Sequence, residues 1–387
     1  MKLFLTVLII SVLSGAEVDL FIPSFPEIQR VFGLSPFLVQ LTLSANFISY
    51  ALSSLFIGSL GDRFNRRTVM LTSLWIFVVA SILCVCATHY SVLVLGRFLQ
   101  GIGMAGPSVL GYVLIADAYP LKKQMAVMGL LNGTVTMAMA FAPVIGSYVN
   151  LFFNWRANFF ILLCLAVLSL VASYVTIPAR NGDPSVSLSP KSYLPLFRSS
   201  KLMILLISLS CLSIAYWVFI GMAPILYMES LGVDLEHFGY YQGSLALAFS
   251  LTSILSPKIL KLFGLKNCLL YSLFICAMIS PIIFVIAVVG FDSAIIITLA
   301  MLVFSAAVVF PVQILFPMIL QVKPSSKSRA SALIVSARLL FSAIFLELVS
   351  YFYTGSFFLL GLLIATFAAF SVFLIMCALH KKWIVFD

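Results

Sequence analysis

Twelve apolar runs, each more than 20 residues long, follow one another along this chain with almost no charge inside them. A helix needs about 20 apolar residues to cross the hydrocarbon core of a bilayer. The runs cover roughly 3–24, 37–60, 68–88, 91–115, 124–149, 157–178, 202–227, 237–259, 267–290, 293–320, 330–352 and 355–378. Such a pattern predicts an all-α integral membrane protein of 12 transmembrane helices. Only 9% of the 387 residues are charged, against about 25% in a soluble domain. The surface must therefore be mostly lipid. The polar, Pro- and Ser-containing stretch 179–201 is the one long connection, and it divides the chain into six spans and six. The expected organisation is an N-terminal six-helix bundle at 1–178, a cytoplasmic central loop at 179–201 and a C-terminal six-helix bundle at 202–387. No residue-level repeat joins the two halves.

Lysine and arginine set the topology, because they collect in cytoplasmic loops. With the N-terminus inside, 18 of the 22 basic residues fall in inside segments, and only Arg30 and Arg156 fall outside. Arg97 and Arg338 lie within spans. An even number of spans with both termini cytoplasmic gives this asymmetry. The net charge of +10 is thus topogenic, and no nucleic-acid partner is expected. The N-terminal run after Lys2 is long enough to stay as a first span rather than leave as a signal peptide. Seven cysteines sit in apolar runs and read as packed thiols, and His89, His237 and His380 sit at span ends. No metal cluster and no cofactor are expected. The P-loop pattern G-x-x-x-x-G-K-[ST] does not occur, which argues against ATP-driven pumping.

The turn after the second span reads Gly58-Ser-Leu-Gly-Asp62-Arg63-Phe-Asn65-Arg66-Arg67. It resembles the G-x-x-x-D-R-x-G-R-R signature of the major facilitator superfamily, with Asn65 where glycine is usual. A left-handed turn position accepts Asn better than other non-glycine residues, and Asp62 is placed to cap the helix that follows. The resemblance implies a cytoplasmic latch of Asp62, Arg63, Arg66 and Arg67, with Asp117 as the acid available at the end of the fourth span. Arg97-Phe-Leu-Gln100-Gly101-Ile-Gly103 is similar to the R-x-x-Q-G-x-G motif of the superfamily's antiporters. Ala142-Pro143-Val-Ile-Gly146 resembles their glycine-spaced G-P-x-x-G motif, with Ala138 and Ala142 replacing two glycines. Pro143 should kink the fifth span. Together with Asp19-Leu-Phe-Ile-Pro23-Ser-Phe-Pro26, Gln40-Leu-Thr42-Leu-Ser44, Asn154-Trp155-Arg156 and Arg329-Ala-Ser-Ala-Leu, these resemble the Bcr/CflA branch of drug–proton antiporters over essentially the whole chain.

Five charges fall inside spans: Glu17, Asp19, Arg97, Arg338 and Glu347. Arginine in hydrocarbon costs at least roughly 2.5–3.5 kcal/mol, so Arg97 should face a partner or a cavity. At a rise of roughly 1.5 Å per residue, Arg97 and the Glu17/Asp19 pair lie at similar depth in the outer half of the membrane. Glu17 and Asp19 point about 200° apart. Asp19 is favoured as the proton site, because it holds the position that the family motif implies, and Glu17 is the alternative. Arg97, Gln100, Arg338 and Glu347 are the candidate cavity residues.

The resemblance implies a monomeric antiporter in the cell inner membrane, which takes in protons and exports small amphiphilic organic molecules by alternating access. The alternative is a dedicated exporter of one endogenous metabolite, such as a siderophore. Neither the clustered residues of a membrane enzyme nor the large extramembrane domain of a receptor is visible in the sequence.

Overall fold

The computed structural model describes residues 2–119, 121–179, 188–189, 193–322 and 327–384, without the side chains of 62, 116–117, 121–126 and 327–328. The first unit holds α1 (Lys2–Asp19), α2 (Phe25–Phe32), α3 (Pro36–Arg63), α4 (Arg66–Val85), α5 (Tyr90–Ala118), α6 (Leu121–Phe152) and α7 (Trp155–Thr176). The second holds α8 (Leu194–Phe197), α9 (Ser200–Pro224), α10 (Leu235–Phe263), α11 (Leu265–Val289), α12 (Ala294–Val322), α13 (Lys327–Tyr351) and α14 (Phe358–His380). The division falls between Ser189 and Pro190, inside the long polar connection. Among the described residues, twelve helical stretches are long and apolar enough to cross a membrane. Helices suit that solvent because every backbone group is satisfied within its own segment.

Two spans continue through a turn beyond their α-helix. The first continues from α1 through a short 3₁₀ turn at Ile22–Ser24 into α2, ending at Phe32. Pro23 and Pro26 each stand in a first helical turn, where the missing N–H costs nothing. The seventh continues from α9 through a π-turn at Ile225–Ser230. The second span starts on a Ser35 cap whose hydroxyl accepts from the Leu38 N–H.

Asn65 corrects the expectation placed on it. Its φ of 177° is extended rather than left-handed, and its Oδ1 accepts the Arg67 N–H at 2.9 Å. It is the N-cap of α4, and its side chain supplies an acceptor that glycine lacks. Asp62, expected in that role, lies in the last turn of α3, and its side chain is outside the described residues. Not every cysteine is packed either: Cys86 and Cys164 are exposed.

Within each unit the same helix pairs pack. In the first unit α1 meets α5, α6 and α7, while α3 and α4 meet α5, and α4 meets α7. In the second, α9 meets α12, α13 and α14, while α10 and α11 meet α12, and α11 meets α14. The two halves are therefore a structural repeat, although their sequences show none. Small residues let these helices close. A Cβ on Gly101 would strike the Asn46 carbonyl and Ser49 Oγ of α3, and one on Gly146 would strike the Leu20 carbonyl. α6 runs continuously through Pro143. Large apolar side chains such as Trp75, Phe274 and Phe373 face outward, as a lipid-facing surface requires.

Gly101→Val should lower the melting temperature of the purified protein by several degrees, since overpacking costs about 1–3 kcal/mol. Gly58→Ala, with nothing within 4 Å of the added methyl, should leave it unchanged. Thermal unfolding in detergent, followed by tryptophan fluorescence, reads both.

Candidate functional site

Four helices of the first unit converge on Arg97. α5 carries Arg97 and Gln100 one turn apart on one face, α1 brings Glu17, α3 brings Asn46 and Thr42, and α4 brings Ser81. Arg97 is fully buried, and its Nη1 lies 3.2 Å from Glu17 Oε1 in a salt bridge with both side chains at most 1% exposed. The same oxygen accepts from Asn46 Nδ2 at 2.7 Å. Nη1 also donates to Gln100 Oε1 at 2.7 Å, and Gln100 Nε2 donates to Ser81 Oγ at 2.9 Å. The remaining contacts orient the guanidinium. Nε points to the Thr42 carbonyl at 3.4 Å, and the guanidinium carbon stands 4.0 Å from the centre of the Phe21 ring. Asn46 Nδ2 reaches the Arg97 carbonyl at 3.2 Å.

This arrangement can do two things chemically. The pair carries no net charge, so it tolerates burial that either ion alone would not. It also keeps spare capacity: Arg97 Nη2 and Asn46 Oδ1 have no hydrogen-bond partner among the described residues. A donor and an acceptor are thus left to meet water or a ligand.

The sequence favoured Asp19 as the proton site, with Glu17 as the alternative; Glu17 is in a salt bridge with Arg97. Asp19 is also buried, at 3% exposure, on the last turn of α1. Arg338 on α13 is half-buried, and its Nε donates to Ser213 Oγ of α9. Glu347 lies on the same helix, roughly 13 Å further along the axis, and is half-buried. Of the expected latch, Arg67 anchors within the first unit. Its Nη2 donates to the Tyr174 carbonyl at 2.8 Å, and its guanidinium lies over the Tyr174 ring. Cations suit this last turn of α7, where the helix dipole is negative. Arg63 lies over Phe64, and Arg66 stands in the first turn of α4. The side chains of Asp62 and Asp117 lie outside the described residues.

Pro143 and Gly146 stand with the scaffold. The Gly146 carbonyl accepts from Asn158 Nδ2, which also donates to Ser24 Oγ. Glu27 Oε2 accepts the Trp155 N–H, while Asn154 Oδ1 caps α7. At the end of the second unit where α9 finishes, the Tyr353 and Ser230 hydroxyls bond at 2.7 Å. Burial, with Glu229 and Asp292 nearby, pushes the Tyr353 hydroxyl up to about 12 against the opposing effect of that bond.

Sequence reasoning passed over Asn46, Ser81 and Phe21. Asn46 had a signal: it stands one turn beyond Thr42 in an apolar span, where an amide needs a partner. Ser81 and Phe21 had none, being ordinary residues of membrane helices.

Twelve spans in two repeated six-helix units, with a buried ion pair in the first, define a polytopic membrane transporter. Residues 7–346 match the Major Facilitator Superfamily, and the chain belongs to that family. The multidrug resistance protein MdtL of Klebsiella pneumoniae (strain 342) is 27% identical over 261 residues. The MdtL of Salmonella heidelberg (strain SL476) is 28% identical over 267 residues. Each alignment spans 66% of this chain and 66% of the relative, just under two thirds of the relative's length. Two solved structures share the fold. The xylose transporter XylE from E. coli, in a partially occluded inward-open conformation, has a TM-score of 0.76 at 14% identity, with 97% of each chain covered. The nucleoside transporter NupG has a TM-score of 0.73 at 15% identity, covering 97% of this chain and 99% of its own.

Removing one member of the buried pair should cost far more than removing both. Arg97→Gln leaves Glu17 uncompensated and should destabilise by about 3–5 kcal/mol. Glu17→Gln/Arg97→Gln should recover most of that loss. A double-mutant cycle on thermal unfolding measures the coupling; additive effects would contradict it.

Proposed function

We propose that the chain is a proton-coupled antiporter that exports small amphiphilic organic molecules, with Glu17 as the proton carrier and Arg97 as its counter-ion. One observation carries the reading: a fully buried carboxylate–arginine pair with unspent hydrogen-bonding atoms beside it. Burial favours the neutral form of a carboxylate, and a nearby cation favours the charged form. A proton switch depends on that balance being close. Two unit charges about 4 Å apart attract by about 4 kcal/mol at an effective dielectric of 20. Protonating Glu17 removes that attraction and leaves the guanidinium to seek other partners. Proton and substrate then compete for one site, and alternating exposure of that site to the two sides of the membrane converts the competition into exchange. The multidrug resistance relatives support the substrate class.

The basic loops support an orientation with both termini in the cytoplasm, and the same reading places the chain in the cell inner membrane as a monomer. Arg338, held by Ser213, and Glu347 are the cavity charges proposed for the second unit. The latch residues Asp62, Arg63, Arg66, Arg67 and Asp117 are proposed to govern opening on the cytoplasmic side.

Reconstituted protein should move protons when ethidium is added as a transported probe, and Glu17→Gln should abolish that movement. Asp19→Asn should retain it. Full proton-coupled ethidium transport by Glu17→Gln would sink the assignment, and efflux from whole cells that ignores an uncoupler would sink the antiport reading.

A further inference from the structure

Between α1, α3, α5 and α6 of the first unit lies a cavity of about 230 Å³. Its wall carries the hydroxyls of Ser11, Ser14, Tyr50, Ser108 and Tyr112 and no formal charge. The cavity continues the helix faces that build the ion pair. On α1, Ser14 is one turn from Glu17, and Ser11 one turn from Ser14. On α3, Tyr50 is one turn beyond Asn46, whose amide holds Glu17. On α5, the face of Arg97 and Gln100 continues through Met104 to Ser108 at steps of three and four. The polar lining therefore begins roughly 5 Å along the axis from Glu17, one helical turn away. It runs toward the end where α1 starts.

Two hydrogen bonds hold the cavity wall together. Ser14 Oγ donates to Met104 Sδ at 3.5 Å. Tyr50 and Ser108 both line the cavity, and Tyr50 stands one turn from Asn46, whose amide holds Glu17. Tyr112 bonds to Asn132 Oδ1 at 2.7 Å. The groups bonded to Glu17 are Arg97 of α5 and Asn46 of α3; Tyr50 stands one turn beyond Asn46 on α3, and Asp19 follows Glu17 two residues on. Of these only Tyr50 also lines the cavity.

Size decides what the space can hold. Sites for drug-sized molecules run to roughly 300–1,000 Å³, which is more than this cavity offers. A water occupies about 30 Å³ of liquid and needs two to four polar partners. Several waters fit here, and the five hydroxyls supply their partners.

We propose that this cavity is the water-filled route by which the Glu17 proton leaves the site toward the end where α1 begins, with the Tyr50 and Ser108 hydroxyls in its lining. The proposal rests on the reading of Glu17 as the proton carrier. In the step, the O–H bond of protonated Glu17 breaks as an O–H bond forms to a cavity water. That water passes on a different proton along the hydroxyl-lined chain. The carboxylate left behind is held by Arg97 and Asn46.

Two measurements on the full chain in proteoliposomes test the route. Ser14→Cys and Ser108→Cys are exposed to a small water-soluble methanethiosulfonate, and the modified positions are mapped by mass spectrometry so that native cysteines do not interfere. Ser169→Cys is the dry reference, because Ser169 is fully buried with its hydroxyl bound within its own helix. Modification at either cavity position should be roughly tenfold faster than at 169, following exposure. Equally slow rates at all three mean a dry cavity and overturn the route, whatever the transport behaviour. In the second measurement, Tyr50→Phe and Ser108→Ala should slow ethidium-driven proton movement, read by an internal pH dye, several-fold. Ethidium exchange at equal pH should be preserved. Equal loss of both activities marks these residues as structural and overturns their role. If wild-type protein moves ethidium without protons, the antiport reading falls and the route with it. Coupled wild-type transport with a dry cavity overturns the route alone.

Discussion

The Arg97 guanidinium is buried inside a membrane span, where a charge is costly. Its insertion costs at least roughly 2.5–3.5 kcal/mol at the helix centre, and the first unit is arranged around meeting that cost. Glu17 neutralises Arg97, Gln100 and the Thr42 carbonyl take its N–H groups, and Phe21 offers an aromatic face. Glu17 and Thr42 come from α1 and α3, which must approach α5 closely. The bare Gly101 surface against Asn46 and Ser49, and the Gly146 surface against Leu20, are the packing conditions for that approach. The polar site and the small-residue contacts are thus one design seen at two scales.

The same interaction links fold to function. The two charges offset one another while both are buried, and a change in the protonation of Glu17 alters the charge that the unit must bury. A satisfied polar cluster elsewhere has no such lever. Gln313 of α12, for example, bonds Ser253 and Ser256 of α10 and joins two helices of the second unit without any ionisable group. The contrast separates polar residues that glue helices from those able to respond to a proton.

Much of this was legible before the structure. Span number followed from run length, and Arg97 with Gln100 announced itself as charge and amide in hydrocarbon. The partner did not. Glu17 and Asp19 are two residues apart, and how each is turned toward Arg97 depends on how α1 is rotated against its neighbours, a quantity that periodicity leaves undetermined in a helix apolar on most sides. Ser81 was hidden for a related reason: membrane serines commonly bond their own helix, as Ser169 and Ser208 do. Asn65 was misplaced because the family's glycine implied a left-handed turn, whereas an extended residue with a side-chain acceptor caps α4 equally well. The repeat of helix pairs was invisible because span length and small-residue contacts maintain it, not residue identity.

The central claim is that Glu17 carries a titrating proton in balance with Arg97. Infrared difference spectroscopy of the reconstituted protein across a pH titration tests it most directly, through the carboxylic acid C=O band. The account predicts a protonated-carboxyl band that disappears in Glu17→Gln, persists in Asp19→Asn, and titrates at higher pH once Arg97→Gln removes the counter-ion. A band that survives Glu17→Gln unchanged, or that ignores the loss of Arg97, would contradict it.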